Sequence, residues 1–247
     1  MNPSEYRTIF SVEDHHWWYA GMRHITLALL DQTYGRRADL RILDAGSGTG
    51  AAMRYLARFG SVAGVDYSPI ALDFCRERDL SRLAQASVTS LPFAARAFEL
   101  VTSFDVLYHR DVGDYRDALR EFYRVLRPDG RVLLRLPAYD RLRGRHDAVI
   151  HTARRFTTDE IKRSLHDIGY VVERLTYANT LLFPLALAKR VLEPLLPAGH
   201  PDQSDIAPNP AGLDGALGAV LGAEARWLRR RDLPYGLTVV ALARKPG

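Results

Sequence analysis

A single cysteine, Cys75, occurs in the 247 residues, which excludes an internal disulfide and a thiolate zinc site of the usual kind. A reducing compartment fits, so a cytoplasmic chain is expected. No run reaches the roughly 20 apolar residues that span a bilayer, and the polar, acidic start from Met1 to Glu13 lacks the apolar segment of a secretory signal. Lysine is also scarce, with three against 31 arginines. The net charge of +5 therefore reads as an arginine-rich composition on solvated faces more than as a surface built for polyanions. A nucleic-acid partner is disfavoured, although Arg141, Arg143 and Arg145 near Arg154 and Arg155, with Arg229 to Arg231 further on, keep it as an alternative.

What is present is enough apolar material, 47% of residues, for one α/β domain with a cover. The first forty residues precede any strand and predict a helical cap (1–39) through Trp17, Trp18, Tyr19, Met22, Ile25, Leu29 and Leu30. From Leu40 onward, short apolar runs alternate with helical segments, the pattern of βαβ units on a parallel sheet. Seven strands are predicted, at 41–45, 62–66, 83–87, 100–104, 131–137, 171–177 and 237–243, with helices at 50–59, 69–78, 114–126 and 158–168. Between the last two strands lies an insertion, 178–231. It holds an apolar stretch at 181–188 continuing as helix-like sequence to Leu196, a Pro- and Gly-rich loop at 197–214, and an amphipathic pattern through Leu217, Val220, Leu221, Glu224 and Leu228.

The chemistry concentrates after the first strand, where Asp44-Ala45-Gly46-Ser47-Gly48-Thr49-Gly50 leads straight into a helix. Glycines at such a turn let a ligand approach the backbone, and the helix start offers free N–H donors. Asp66 ends the second strand, where a carboxylate accepts hydrogen bonds from a ribose diol. These features fit two enzyme classes, since a dinucleotide fold tolerates Gly46-Ser47-Gly48-Thr49-Gly50-Ala51 and places an acid at the same distance.

The longer set of motifs separates the two. Leu43 to Gly50, Gly64-Val65-Asp66-Tyr67-Ser68-Pro69, Leu91-Pro92-Phe93, the run from Phe98 to His109, and Arg124-Val125-Leu126-Arg127-Pro128-Asp129-Gly130-Arg131 together resemble the successive motifs of class I S-adenosylmethionine-dependent methyltransferases of the small-molecule kind, in that family's order. The resemblance implies a Rossmann-like, mostly parallel sheet of order 3-2-1-4-5-7-6 with the seventh strand antiparallel, and S-adenosylmethionine as cofactor with S-adenosylhomocysteine as product. It also implies cofactor roles for Asp44 at the ammonium group, Ala45, Gly46, Ser47 and Gly48 along the loop, and Asp66 at the ribose. Tyr67 would pack on the adenine, Ser87 and Val88 would face its polar edge, and the Phe104 carbonyl would lie near the ammonium. Many relatives carry aspartate where this chain has Ser87, whose hydroxyl makes the contact without a charge.

Acceptor chemistry is more open. Ser103-Phe104-Asp105-Val106 lacks the Asn-Pro-Pro-Tyr or Asp-Pro-Pro-Tyr arrangement associated with amine methylation in nucleic acids. His109 is a candidate base, as is His146 within Arg145-His146-Asp147, while Tyr108, His151 and Arg155 are candidate acceptor contacts. The two histidines and Asp147 have no metal-ligand spacing, so no metal is expected. Glu13 to Tyr19 followed by Arg23 resembles the start of a bacterial methyltransferase subgroup that shares the His-Asp and Arg-Arg-Phe-Thr runs. That likeness implies an aromatic helix closing over the cofactor, with Arg23 at its carboxylate. Adjacent tryptophans point to different sides of a helix, so one is expected to pack and Trp18 to border the acceptor. The expected activity is methylation of an O, N or C atom of a small-molecule acceptor, such as a secondary metabolite or a sugar or lipid intermediate, with RNA methylation or catalytically silent cofactor binding as alternatives. The sequence leaves the oligomeric state open, a homodimer included.

Overall fold

A computed structural model of the chain describes residues 3–142, 152–192 and 213–247. Its frame is a seven-stranded sheet, β1 (Leu40–Ala45), β2 (Gly60–Asp66), β3 (Leu83–Gln85), β4 (Phe98–Phe104), β5 (Leu126–Pro137), β6 (Val171–Ala178) and β7 (Thr238–Arg244), in the order 3-2-1-4-5-7-6. The first five strands pair in parallel, and β7 inserts antiparallel between β5 and β6. This is the predicted order.

Local chemistry fixes the helices around it. Helix α1 (Pro3–Val12) leads to α2 (Trp17–Tyr34), whose cap His16 accepts the Trp18 N–H through Nδ1 at 3.3 Å. Helix α3 (Ala51–Leu56) follows the glycine loop, and α4 (Pro69–Glu77) begins with proline, which has no N–H to leave unpaired. Asp114 caps α5 (Tyr115–Val125) and Thr157 caps α6 (Thr158–Ile168), each accepting a backbone N–H in the first turn. The insertion contributes α7 (Phe183–Leu192) and α8 (Leu213–Leu228); the predicted loop at 197–214 lies outside the described residues up to 212, and its last two positions open α8.

All seven strands shift from their predicted bounds, six by one or two residues at an end and β5 by five. β5 starts at Leu126, five residues early, because Leu126 pairs with Phe98 across a bulge and the turn behind it bonds to Lys245. β3 stops at Gln85, where Ser87 turns the chain by accepting the Thr89 N–H.

The sheet buries both faces. On one, Leu43, Val101, Leu134 and Ala241 pack under Phe122, Phe156 and Leu165 of α5, α6 and the segment before it. On the other, Ile42, Leu100, Leu133 and Val240 pack under Ile25 and Leu29 of α2 and Leu228 of α8. Helix α2 is thus core as well as cover: it crosses α8 so closely that a Cβ on Gly21 would lie 2.3 Å from Leu221 Cδ1. Among the described residues, no helix is long and apolar enough to cross a membrane.

A buried ionic clasp ties the turn between α1 and α2 to the sheet. Arg78, just past α4, donates to Glu13 at 2.7 Å and Asp14 at 2.9 Å, and its Nε donates to the Thr49 carbonyl. Thr49 Oγ1 also donates to Glu13. The Arg78 and Glu13 side chains are each only 6% exposed, so removing one leaves the other charged and dry. Arg78→Ala is expected to lower the unfolding free energy by roughly 3 kcal/mol in urea titration. A loss under about 1 kcal/mol would show that water replaces the clasp.

Candidate functional site

The carboxyl ends of β1, β2, β4 and β5 open into a cavity of about 1200 Å³, closed from above by α1 and the start of α2. Single ligand pockets run to about 1,000 Å³, so the space suits two molecules side by side. Its floor is the loop after β1. Gly46, Gly48 and Gly50 all have left-handed φ, at 86°, 54° and 87°. At Gly46 a Cβ would sit 2.2 Å from Val106 Cγ2, so the β1 and β4 loops touch where a side chain has no room. Cys75 lies behind this loop, its thiol donating to the Gly48 carbonyl, and burial pushes its pKa up to about 12. It is a packing residue, not a nucleophile.

Two carboxylates bound the loop. Asp66 Oδ2 accepts the Gly48 N–H and Oδ1 the Ser68 N–H, both at 2.9 Å, which fixes the carboxylate while leaving lone pairs toward the cavity. Burial raises its pKa, against the backbone donors that hold the charge. Asp44 is 1% exposed, with Oδ1 accepting the Thr102 hydroxyl at 2.7 Å. Its Oδ2 is buried without any hydrogen-bond partner among the described residues, and burial drives the pKa from 3.8 to about 7. A half-satisfied buried carboxylate calls for a cation or a donor. It also repels a pyrophosphate, which a dinucleotide would put on this loop.

Most of the predicted site residues converge on this one cavity. Gly46, Ser47, Gly48, Asp44, Asp66, Tyr67, Ser87, Val88 and Phe104 line it, as do Trp18, Arg23, Tyr108, His109 and Arg155. Tyr67 is 70% exposed, a ring at the rim, and Ser87 Oγ is already engaged with Thr89. Ala45 is not brought in: its side chain is in the core and its carbonyl accepts the Ser103 hydroxyl, because alternate residues of β1 face opposite sides of the sheet. Both tryptophans line the cavity, against the expectation that one would only pack, since they occupy the first turn of α2 at its mouth. His109 stacks on Tyr108 at 4.5 Å and forms an isolated bridge with Thr152, whose buried hydroxyl has no partner among the described residues. His146 and His151 lie outside the described residues. Among the described residues no group of three His, Cys, Asp or Glu side chains is placed to hold a metal.

The structure adds residues that sequence reasoning missed. Tyr6 of α1 reaches the Asp66 end, close enough to Ser68 and Asp66 for both to act on its hydroxyl. Arg135 of β5 enters from the other side, with Nε donating to Asp105 at 2.6 Å and its guanidinium over the rings of Phe104 and Trp18 at 4.7 and 5.2 Å. An arginine inside the apolar run Val132–Pro137 was the visible signal, because a strand core seldom spends a cation without a use.

Comparison with known proteins gives the same picture from outside. The family described as a methyltransferase domain matches residues 43–134. A demethylmenaquinone methyltransferase of Thermus thermophilus is 36% identical over 106 residues, 40% of this chain and 47% of that protein. Among solved structures, the complex between the Haloferax volcanii Trm112 methyltransferase activator and a methyltransferase aligns with TM-score 0.63 at 20% identity, covering 99% of this chain and 94% of that one. Geranyl diphosphate C-methyltransferase from Streptomyces coelicolor, solved with Mg2+, geranyl-S-thiolodiphosphate and S-adenosylhomocysteine, aligns with TM-score 0.59 at 18% identity over 89% of this chain and 75% of that one. At such identities the structural likeness is one of fold. The chain spans less than half the length of the curated relatives it matches.

Proposed function

Since this chain carries a methyltransferase domain at residues 43–134, on the sheet order of class I methyltransferases, we propose that it transfers the methyl group of S-adenosylmethionine to an O, N or C atom of a small-molecule acceptor. The observation that carries the reading is the pair of carboxylates on one cavity: Asp66 suits a ribose diol, and the unpaired Oδ2 of Asp44 suits an ammonium. A nucleoside with an amino-acid tail presents both groups, whereas a dinucleotide presents a second negative charge near Asp44.

When bound, S-adenosylmethionine supplies a methyl group on a sulfonium. The chain's own work is then to hold the acceptor in line and take its proton where the acceptor atom is weakly nucleophilic. His109, stacked on Tyr108, is the proposed base; His146 is the second candidate. Trp18, Tyr108 and Arg155 shape the acceptor side, with His151 assigned there from the sequence. The proposed cap is 1–39 and the proposed cover 178–231, of which 3–39, 178–192 and 213–231 are described. A cytoplasmic metabolite, such as a secondary metabolite or a sugar or lipid intermediate, is the class of acceptor, by analogy with the demethylmenaquinone enzyme. The arginine surface supports a small acceptor over a nucleic acid, because many guanidinium groups are neutralised in ion pairs such as Arg41 and Arg127 with Glu99 and Arg131 with Glu173.

The test is calorimetric titration with S-adenosylmethionine, S-adenosylhomocysteine and NADH, followed by transfer of labelled methyl to a metabolite extract by the wild type and by His109→Gln. Binding of both sulfur nucleotides with silent NADH, plus label transfer that falls in the variant, is expected; NADH binding alone would assign the loop to a dehydrogenase.

The Asp44 carboxyl adds a pH signature. Its folded pKa near 7 lies above the ordinary 3.8, so the ligand-free protein keeps this contribution to stability below about pH 4 and loses it as pH rises through about 7. An ammonium needs the ionised form, so affinity for S-adenosylhomocysteine should rise about tenfold per unit below pH 7 and level off above it, with release of about one proton per site at about pH 6. Calorimetry in buffers of different ionisation enthalpy reads that proton. Asp44→Asn should flatten the profile, and a flat wild-type profile would mean that the ammonium binds elsewhere.

A further inference from the structure

Arg135 is the least explained charge in the molecule. It stands in the run Val132–Pro137 of β5, which is otherwise apolar, its side chain is 12% exposed, and its Nε is committed to Asp105. The rings of Phe104 and Trp18 hold the guanidinium plane, and Asp105 adopts a left-handed φ of 58° while its own N–H donates to the Arg135 carbonyl. A non-glycine residue in that region is strained and persists where its surroundings over-determine it. Among the described residues neither Nη makes a hydrogen bond or ion pair, yet both belong to a side chain lining the cavity. The result is a guanidinium held in place with both Nη groups uncommitted on a residue that lines the cavity, and the group that matches such a fork is a carboxylate.

Two carboxylates could come to it, that of the cofactor's tail and one on the acceptor. Strand alternation favours the first. Asp44 follows Ile42 by two residues, Arg135 follows Leu133 by two, and Ile42, Leu133 and Phe104 all belong to the core under α2, so the three site residues share one face of the sheet. Tyr55 of α3 stands on the same side, with Arg135 and Asp44 the two charges that act on it most, and Arg135 is the cation that acts on Asp44. Tyr108, which stacks with His109 on the acceptor side, belongs to the opposite core.

Resting on the methyltransferase reading above, we infer that Arg135, locked by Asp105 between Phe104 and Trp18, binds the α-carboxylate of the cofactor's amino-acid tail, while Asp44 takes the ammonium of the same tail. The cavity thus carries a zwitterion clamp with one pole on β1 and the other on β5. Arg23, which reaches the cavity from α2 with no ion pair or hydrogen bond among the described residues, is the looser, second donor.

The probes are S-adenosylhomocysteine, which has the tail, and 5′-methylthioadenosine, which lacks it. Arg135→Gln is expected to weaken S-adenosylhomocysteine by about 30-fold or more, the effect of losing a bidentate charged contact, and to leave 5′-methylthioadenosine unchanged. Arg23→Gln should cost less. Because Arg135→Gln strands Asp105, the double variant Arg135→Gln/Asp105→Asn serves as a neutral pair with the same expectation. On the wild type, decarboxylated S-adenosylmethionine should bind about 30-fold more weakly than S-adenosylmethionine, a comparison that no folding defect can disturb. Equal affinity of those two ligands, or unchanged S-adenosylhomocysteine binding in both Arg135 variants, would overturn the inference and leave the fork to an acceptor carboxylate. If the wild type binds neither nucleoside, the methyltransferase reading itself fails.

Discussion

Asp66→Ala should abolish measurable binding of S-adenosylhomocysteine, with a loss on the order of 10²–10³-fold or more, while the protein stays folded. Two contributions add. Two charge-assisted hydrogen bonds to a diol disappear, each worth about 1.5 kcal/mol or more. The Gly48 and Ser68 N–H groups lose the acceptor that aims them, so the glycine loop relaxes from the shape the nucleoside requires. Against this, the ligand-free protein is relieved of a carboxylate whose pKa burial raises, so its unfolding free energy should change by no more than about 1 kcal/mol. Lost binding with retained stability is the mark of a binding residue. Calorimetry and urea titration read the two halves separately, and a binding loss below tenfold would move the diol off Asp66.

Gly46→Ala should act on both readouts at once. The new Cβ meets Val106 Cγ2 at 2.2 Å and Cγ1 at 2.9 Å, and alanine at φ 86° is strained whatever the space. A cost of about 3 kcal/mol or more in unfolding free energy is expected, with cofactor affinity falling as the β1 and β4 loops separate. Adding Val106→Ala removes the clash and not the backbone strain, so the double variant should recover part of the stability. If Gly46→Ala costs under about 1 kcal/mol, the two loops are not in the contact described.

Much of this architecture was legible because it rests on local signals. Alternating apolar runs mark the strands, Pro69 marks a helix start, and the glycine loop with Asp66 marks the proposed nucleoside end. The sheet order came from the resemblance and not from any residue pattern. What remained hidden depends on pairs far apart in sequence. Glu13 with Arg78, Thr102 with Asp44, and Asp105 with Arg135 leave no periodic trace, so the clasp and the fork become visible only in three dimensions. Ala45 went to the wrong side for a related reason: motif adjacency hides strand alternation, which turns a neighbour of two cavity residues into the core.

The position of β7 also governs the order in which the molecule can be assembled. Among the described residues β6 pairs with β7 and with no other strand, and β5 on that side likewise pairs with β7, which is made 60 residues after β6 ends. During synthesis, β6 therefore emerges with nothing to zip against, and β5 presents an open edge of unpaired backbone until Thr238–Arg244 leaves the ribosome. A nascent chain halted before Thr238 should have an incomplete sheet and a strong tendency to self-associate, while release of seven more residues closes both gaps in one step.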